Sequence, residues 1–575
     1  MHVKVTRSAL IRVFAFVLSS AVLFLLGCKA KPSNPADIIF TNAAVLTMND
    51  AQPTAKAVAV KDGKILAVGA AADVEKFKGD STQVRDLNGK TLLPGFVDPH
   101  GHMFNAGIQA IAANLLAPPD GTVTSIAQLQ QTLRDWESTA AAQKIGWIIG
   151  FGYDDSQLQE KRHPTRQELD AVSREKPVLI IHQSGHLATV NSKLLEMMNL
   201  TAASKDPDGG AIQREKDGKT PSGVLEESAF WMVLPKLPSM TEADQQVILR
   251  KGEEAYARFG YTTAQEGRST LGTDKAYFEA AEQKSLVLDV DAYPDIDLAS
   301  ADMNSPYAGR DYKNHFRIAG VKLNVDGSPQ GRTAYLSKPY FKVPPGQKPD
   351  YRGYPAYPPE KIDAFVDKAF ANNWQILAHC NGDGAADLFI HAVRAAEQKY
   401  GKADRRPVMV HAQTVREDQL DAMKELGIIP SFFSMHTYYW GDWHRDVTLG
   451  QERAFRISPA MSAKQRGMIW TSHTDAPVAL PNAMIVLASQ VTRVARGSGQ
   501  VIGPDQRVPV QDALKAMTIW AAYQDFEEQS KGSIESGKLA DFVVLSDNPT
   551  QINPMKLWDL KVLETIKEGK TIYRQ

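Results

Sequence analysis

Cysteine is nearly absent from this chain: among 575 residues there are two, Cys28 and Cys380. A disulfide framework is therefore excluded, and the fold must be held by its core. The chain also lacks an excess of either charge, with 65 Lys and Arg against 66 Asp and Glu and a formal net charge of -1. Nothing in that balance recruits a polyanion, so nucleic acid is not an expected partner. There is no sustained heptad, low-complexity tract or tandem repeat, which excludes a coiled coil, a disordered tail and a solenoid. The apolar run Val13 to Leu26 falls short of the ~20 residues that a spanning helix needs. What remains is ordinary globular composition, in a chain long enough to bury a large core and form more than one domain.

The N-terminus reads as a targeting segment. Lys4, Arg7 and Arg12 precede the apolar run, which ends Leu25-Leu26-Gly27-Cys28. Residues 1–27 form a signal peptide in this reading. A small residue directly before cysteine resembles a bacterial lipobox, which makes Cys28 the lipidated mature N-terminus and residues 28–36 a tether. The bland alternatives are a plain secretory signal or an N-terminal anchor helix. Lys29, rather than Asp, after the cysteine resembles outer-membrane sorting. The expected location is the bacterial cell envelope, lipid-anchored to the outer membrane on its periplasmic side. Cys380 is then left alone and is expected to be a buried, inert thiol.

The rest of the chain is organised around residues 92–102, Leu-Leu-Pro-Gly-Phe-Val-Asp-Pro-His-Gly-His. Leu92–Asp98 reads as a buried strand, and Asp98, His100 and His102 share a face if the chain stays extended. Seven more buried strands are expected at Tyr261–Gly267, Leu286–Pro294, Phe316–Asp326, Trp374–His379, Pro407–His411, Ile428–Phe433 and Met468–Asp475. Helical patterns alternate with most of them; Thr241–Phe259 opens in capping-box style and stops at Gly260. Eight such alternations predict a (β/α)8 barrel with its site at the C-terminal strand ends. The first two strands are about 160 residues apart, far more than one helix needs. Residues 103 to about 240 are thus an inserted lid over the barrel mouth, with strands at Trp147–Phe151 and Val178–His182 and a hairpin around Asp206-Pro-Asp-Gly-Gly. Both chain ends are strand-rich, and Lys61-Asp62-Gly63-Lys64 is a hairpin turn.

Read together, the strand ends carry His100 and His102, Lys322, His379, His411, and the triplet His473-Thr474-Asp475. Any one of these alone is more often a hydrogen-bonded core residue than a ligand. Imidazole and carboxylate ligands with open positions suit zinc best. The order His-x-His, Lys, His, His, Asp resembles the amidohydrolase superfamily. From about Asp37 onward the chain resembles its third family, the AepA/YtcJ-like metal-dependent hydrolases related to N-substituted formamide deformylase.

That resemblance implies an α/β fold: a TIM barrel over residues 92–529, with a small β-sandwich from residues 37–91 and 530–575. It implies a metal site of His100, His102, Lys322, His379, His411 and Asp475, holding zinc, expected as two ions bridged by a carboxylated Lys322, its carbamate drawn from CO2. The unmodified alternative pairs Lys322 with Asp326. It implies attack of a metal-bound hydroxide on the C–N bond of a small amide-type substrate, with Asp475 as the catalytic proton carrier. His473 departs from the commoner Ser-Asp pattern of such relatives. In the lid, His182-Gln-Ser-Gly-His186 resembles a family motif, with His186 a substrate contact or simply packed within the lid, and His182 structural. The aromatic segment 434–444 offers a binding wall or ordinary loop packing, with His436 its best substrate contact. An esterase or lactonase, and a non-catalytic ligand-binding lipoprotein, stay open as alternatives. Membrane contact is expected only through the lipid, and self-association is left open.

Overall fold

The computed structural model describes residues 32, 34–344 and 346–575. Residues 1–27 and Cys28 lie outside them. Eight parallel strands form the centre of the molecule. They are β1 (Phe96–Val97), β2 (Tyr261–Ser269), β3 (Asp289–Pro294), β4 (Phe316–Ile318, resuming as Gly320–Asn324), β5 (Gln375–Cys380), β6 (Val408–His411), β7 (Ile429–Phe432) and β8 (Thr471–Ser472). β1 to the first half of β4 pair in sequence order, and the second half of β4 to β8 do the same. The two arcs join where β4 breaks at Ala319 and Asp295 bridges Lys322. β8 and β1 do not pair directly. Ser472 N–H and Val97 N–H instead donate to the carbonyls of Ala516 and Met517, and Asp475 N–H reaches His100 O at 3.0 Å. This is the expected barrel, with a wedge in its closing seam.

The strand expected at Leu92–Asp98 is two strands. Thr91–Pro94 pairs antiparallel with Phe542–Leu545 in a different sheet, and only Phe96–Val97 enters the barrel. Gly95 is the pivot. A Cβ there would lie 2.3 Å from Thr262 Oγ1, so only glycine lets the two backbones approach. Beyond Val97 the chain turns, and His102 precedes the helix Met103–Ile111. Asp98 therefore does not share a direction with the two histidines. Its carboxylate accepts from Thr474 N and Thr474 Oγ1 and ties β1 to β8.

Both chain ends meet in a pair of packed sheets. One contains Ile38–Thr41, Ala57–Lys61, Lys64–Gly69 and Gln83–Asp86; the other runs from Lys570–Arg574 through Phe542–Leu545 and Thr91–Pro94 to Thr54–Ala55. Phe40, Val58, Leu92, Phe542, Val544 and Ile566 share one core between them. The Asp62-Gly63 turn takes positive φ at both positions, as a tight hairpin requires.

Residues 103–240 carry their own six-stranded sheet, from Gly210–Arg214 to Ala113–Asn114. Its hairpin differs from the sequence reading. The turn lies at Glu215–Thr220, closed by Glu215 N–H to Thr220 O at 2.8 Å, while Asp206–Gly209 only leads into the first strand. Asp217 accepts from Lys219 N and Thr220 N, an Asx-type turn that outcompetes the Asp-Gly-Gly signal. The helix Glu242–Arg258 then returns to β2, started by a Thr241–Asp244 capping box and stopped at Gly260, whose φ is +93°.

Candidate metal centre

Five of the eight strands, β1, β4, β5, β6 and β8, carry ligand-type side chains in or just beyond them into one buried cluster. His100 Nδ1 donates to Gln265 Oε1 at 3.0 Å, which leaves Nε2 facing Lys322 Nζ at 2.9 Å. Asp475 Oδ1 lies 3.5 Å from His100 Nε2 and 3.5 Å from His102 Nε2, and Oδ2 lies 3.9 Å from His411 Nε2. His411 Nε2 is 3.0 Å from His379 Nδ1. His379 Nε2 in turn donates to Gly327 O at 3.1 Å, so its Nδ1 presents a lone pair to the cluster. The ligand atoms of His100, His411 and Asp475 all lie within 4.8 Å of one another. The structure thus brings together His100, His102, Lys322, His379, His411 and Asp475.

The backbone is strained where the cluster needs it. His411 has φ +70° and Asp475 φ +50°, conformations that non-glycine residues rarely hold and that concentrate at functional sites. Asp326 does not pair with Lys322. Its carboxylate accepts from the backbone N–H groups of Tyr335, Asn381 and Gly382.

Burial sets the charges. It holds His100, His379 and His411 well below the ordinary imidazole range, with neighbouring cations adding to the effect. These rings are neutral and offer lone pairs. Burial works the same way on His102, but hydrogen bonds to Asp475 and Glu266 reverse it and raise that ring. Lys322 is pushed down to about 7, chiefly by burial, so a neutral amine is accessible. Burial pushes the Cys380 thiol up, as expected of an inert core thiol.

Several participants have roles that the sequence left unassigned. His473 Nε2 sits 3.1 Å from His411 Nδ1, and its own Nδ1 is 2.9 Å from Ser431 Oγ. The chain Ser431–His473–His411 can carry its protons in either sense, so His411 Nε2 can be freed for a cation. Gln265 and Glu266 sit in the middle of β2; Glu266 accepts from Phe104 N–H and Tyr277 OH and faces His102 Nδ1 at 3.7 Å. Their adjacency in the buried strand Tyr261–Ser269 was the visible signal, an amide and a carboxylate side by side.

The lid closes over this cluster. His186 Nδ1 donates to Glu227 Oε2 at 2.8 Å, and its ring centroid is 5.0 Å from that of His379. His436 is buried beside His411, ring centroids 6.3 Å apart, with its Nδ1 unpartnered. It begins the helix His436–Trp443, which fastens to the lid: Tyr439 OH donates to Asp120, and Trp440 Nε1 donates to Asp154. His182 lies apart from the centre, between Asp154 and Asp155 and 5.7 Å from the His163 ring. His182 Nε2 donates to Asp155 Oδ1 at 3.2 Å; burial lowers the ring, but the hydrogen bonds and charges of Asp154 and Asp155 outweigh it and raise the ring to about 9. That arrangement is a hydrogen-bonded brace. Asp289, near His315 and Glu568, is neutralised by Lys531 and Lys567 at the far end of the barrel.

Comparison with known proteins places this architecture. The amidohydrolase family model, Amidohydro_3, matches residues 83–573. Protein LONG AFTER FAR-RED 3 of Arabidopsis thaliana is 28% identical over 94% of this chain and 92% of its own. The putative amidohydrolase YtcJ of Bacillus subtilis is 26% identical over 93% and 99%, and N-substituted formamide deformylase of Arthrobacter pascens is 25% identical over 94% and 98%. The exoenzymes regulatory protein AepA of Pectobacterium carotovorum is 26% identical over 63% of this chain and 77% of its own. In fold, the chain resembles an uncharacterized metal-dependent hydrolase from Pyrococcus horikoshii, with a TM-score of 0.69 and 24% identity over 90% and 99% of the two chains. A barrel with six ligand-type side chains carried by five of its strands, matched from the first sheet to the last strand, means that this chain belongs to the amidohydrolase family of hydrolases.

Proposed function

We propose that this chain hydrolyses an amide-type C–N bond of a small molecule, using zinc at the candidate centre. The observation that carries the reading is the convergence of neutral imidazoles and one carboxylate, with the ligand atoms of His100, His411 and Asp475 within 4.8 Å. His102, Lys322 and His379 complete the set that would hold metal. Bound zinc supplies a Lewis acid for the substrate carbonyl and lowers the pKa of water from 15.7 to about 7. A pair of ions would need an anionic bridge, and Lys322 suits that role as its carbamate, because burial favours its neutral, reactive amine. Asp475, held among three imidazoles, accepts a proton and returns it to the leaving nitrogen. The choice of a C–N bond draws on the likeness to N-substituted formamide deformylase. An amine leaves poorly unless protonated, so this proton carrier matters more for amides than for esters.

The lid, residues 103 to about 240, is the substrate-selecting part in this reading, with His186 and His436 at its contacts. The sandwich division at residues 37–91 and 530–575 and the barrel division at 92–529 are proposed as the working domains. The lipidated Cys28, an outer-membrane location facing the periplasm and any self-association belong to the same proposal. No helix among the described residues is long and apolar enough to cross a membrane.

Elemental analysis of purified protein, followed by assay on N-acyl amino acids, formamides, cyclic amides, esters and lactones, tests the reading. Two equivalents of zinc and preferential turnover of an amide are expected. Alanine at His100, His102, His379 or His411 should lower metal content and activity together. Full metal content in all four variants overturns the site, and turnover confined to esters or lactones overturns the C–N assignment.

A further inference from the structure

Glu227 ends the lid strand Pro221–Glu227 in a backbone conformation that few side chains tolerate, φ +48° and ψ −119°. Two hydrogen bonds tie it to one partner. Glu227 N–H donates to His186 O at 2.9 Å, and Glu227 Oε2 accepts from His186 Nδ1 at 2.8 Å. Together they fix both the backbone and the ring of His186. The second carboxylate oxygen, Oε1, is buried without a hydrogen-bond partner. It packs on Gly327, where a Cβ would come within 2.3 Å of it, so a residue without a side chain is required there. The carbonyl of the same Gly327 accepts from His379 Nε2. Glu227 therefore stands between a lid histidine and a proposed metal ligand from the barrel. With Nδ1 engaged by Glu227, His186 keeps Nε2 free, and no described residue bonds it.

We propose that Glu227 is a positioning residue: it holds His186 against the metal centre, so that the closed lid presents His186 Nε2 to the substrate. This rests on the hydrolase reading above. Strain in the Glu227 backbone is what a fixed, preorganised contact requires, since a freely rotating histidine would lose conformational freedom on each binding event. A purely structural Glu227 would act on stability and metal content. A positioning Glu227 acts on KM, and only through His186.

The test compares Glu227→Gln, Glu227→Ala, His186→Gln and the double variant Glu227→Ala/His186→Gln, all as zinc-loaded full-length protein. Glu227→Ala should raise KM roughly tenfold or more with kcat changed far less, the mark of lost ground-state binding. Metal content should stay at the wild-type value. Glu227→Gln should recover most of the loss, because its amide oxygen still accepts from Nδ1. The double variant should be no worse than His186→Gln alone, since coupled residues are not additive. Additive losses, or a Glu227→Gln variant as impaired as Glu227→Ala, overturn the proposal. Should the wild-type enzyme bind zinc yet turn over no substrate in the panel, the amide reading fails and the positioning claim is judged spectroscopically. ¹⁵N-histidine spectra, with His186→Gln identifying the signal, should show His186 protonated at Nδ1 in wild type and altered in Glu227→Ala. An unchanged His186 signal in Glu227→Ala overturns the positioning role.

Discussion

At the scale of single residues, Asp475 meets three imidazoles, those of His100, His102 and His411. Asp475→Asn keeps the shape and one coordinating oxygen but cannot carry the proton. It should keep much of its metal and lose about two to four orders of magnitude in kcat. The loss should be steeper on amides than on activated esters, read by parallel assays and elemental analysis. Wild-type amide turnover in this variant would remove Asp475 from the chemistry. Lys322→Ala should bring bound zinc from two equivalents to one, with added short carboxylic acids partly restoring the second; unchanged stoichiometry would show that Lys322 bridges nothing. Away from the site, burial and then the facing Asp302 carboxylate push Asp274 up to about 8. The folded state then holds a proton that the unfolded chain releases near pH 4. Stability should fall as pH rises from about 4 to about 8, by up to about 1.4 kcal/mol per pH unit, and level off above that. Asp274→Asn has no such proton to lose. Its Tm advantage over wild type should grow between pH 5 and pH 8, and parallel Tm curves would contradict the assignment.

At the scale of elements, Gly95 and Asp98 decide how the first strand is shared. The chain crosses from the end sheets into the barrel at a point where Gly95 lies against Thr262, and Asp98 then clasps Thr474 on the far side of the seam. Gly95→Ala forces a methyl group into Thr262. We expect a loss of about 1–3 kcal/mol, the usual range for overpacking, measured by chemical denaturation. Bound metal should stay unchanged, because His100 and His102 follow Val97, beyond the strand that Gly95 opens, and the clash is with Thr262. The sequence reading took Leu92–Asp98 as one strand from its apolar residues, across the Pro94-Gly95 pair that marks the break. The neighbour across from Gly95 shows why the break falls there. The hairpin in the lid follows the same logic: the sequence reading put it around Asp206-Pro-Asp-Gly-Gly, and pairing of Gly210–Arg214 with Pro221–Glu227 puts the turn at Glu215–Thr220 instead.

At the scale of the whole molecule, the two chain ends share one sheet, so each is incomplete alone. Removing residues 561–575 deletes Val562–Lys567 and Lys570–Arg574 and bares one edge of Phe542–Leu545. Such a truncation should destabilise the N-terminal strands as well, read as rapid proteolysis within residues 37–91; protection equal to wild type there would argue that the N-terminal sheet stands alone. For the cell, Cys28→Ser should release the protein from the membrane fraction or leave an uncleaved precursor, and wild-type fractionation and migration would end the lipoprotein proposal. The sequence by itself determined the barrel, because alternating buried strands and amphipathic helices have few ways to cover their apolar faces. It also determined the order of the ligand-type residues, because each stands in or just beyond a buried strand, where local periodicity is legible. Tertiary structure alone decided that His473 backs His411, that Gln265 and Glu266 orient the two leading histidines, and that Glu227 reaches His186. Those pairs are 41 to 165 residues apart or lie on separate strands, and their contact depends on barrel curvature and lid closure. No periodicity within one segment encodes that distance.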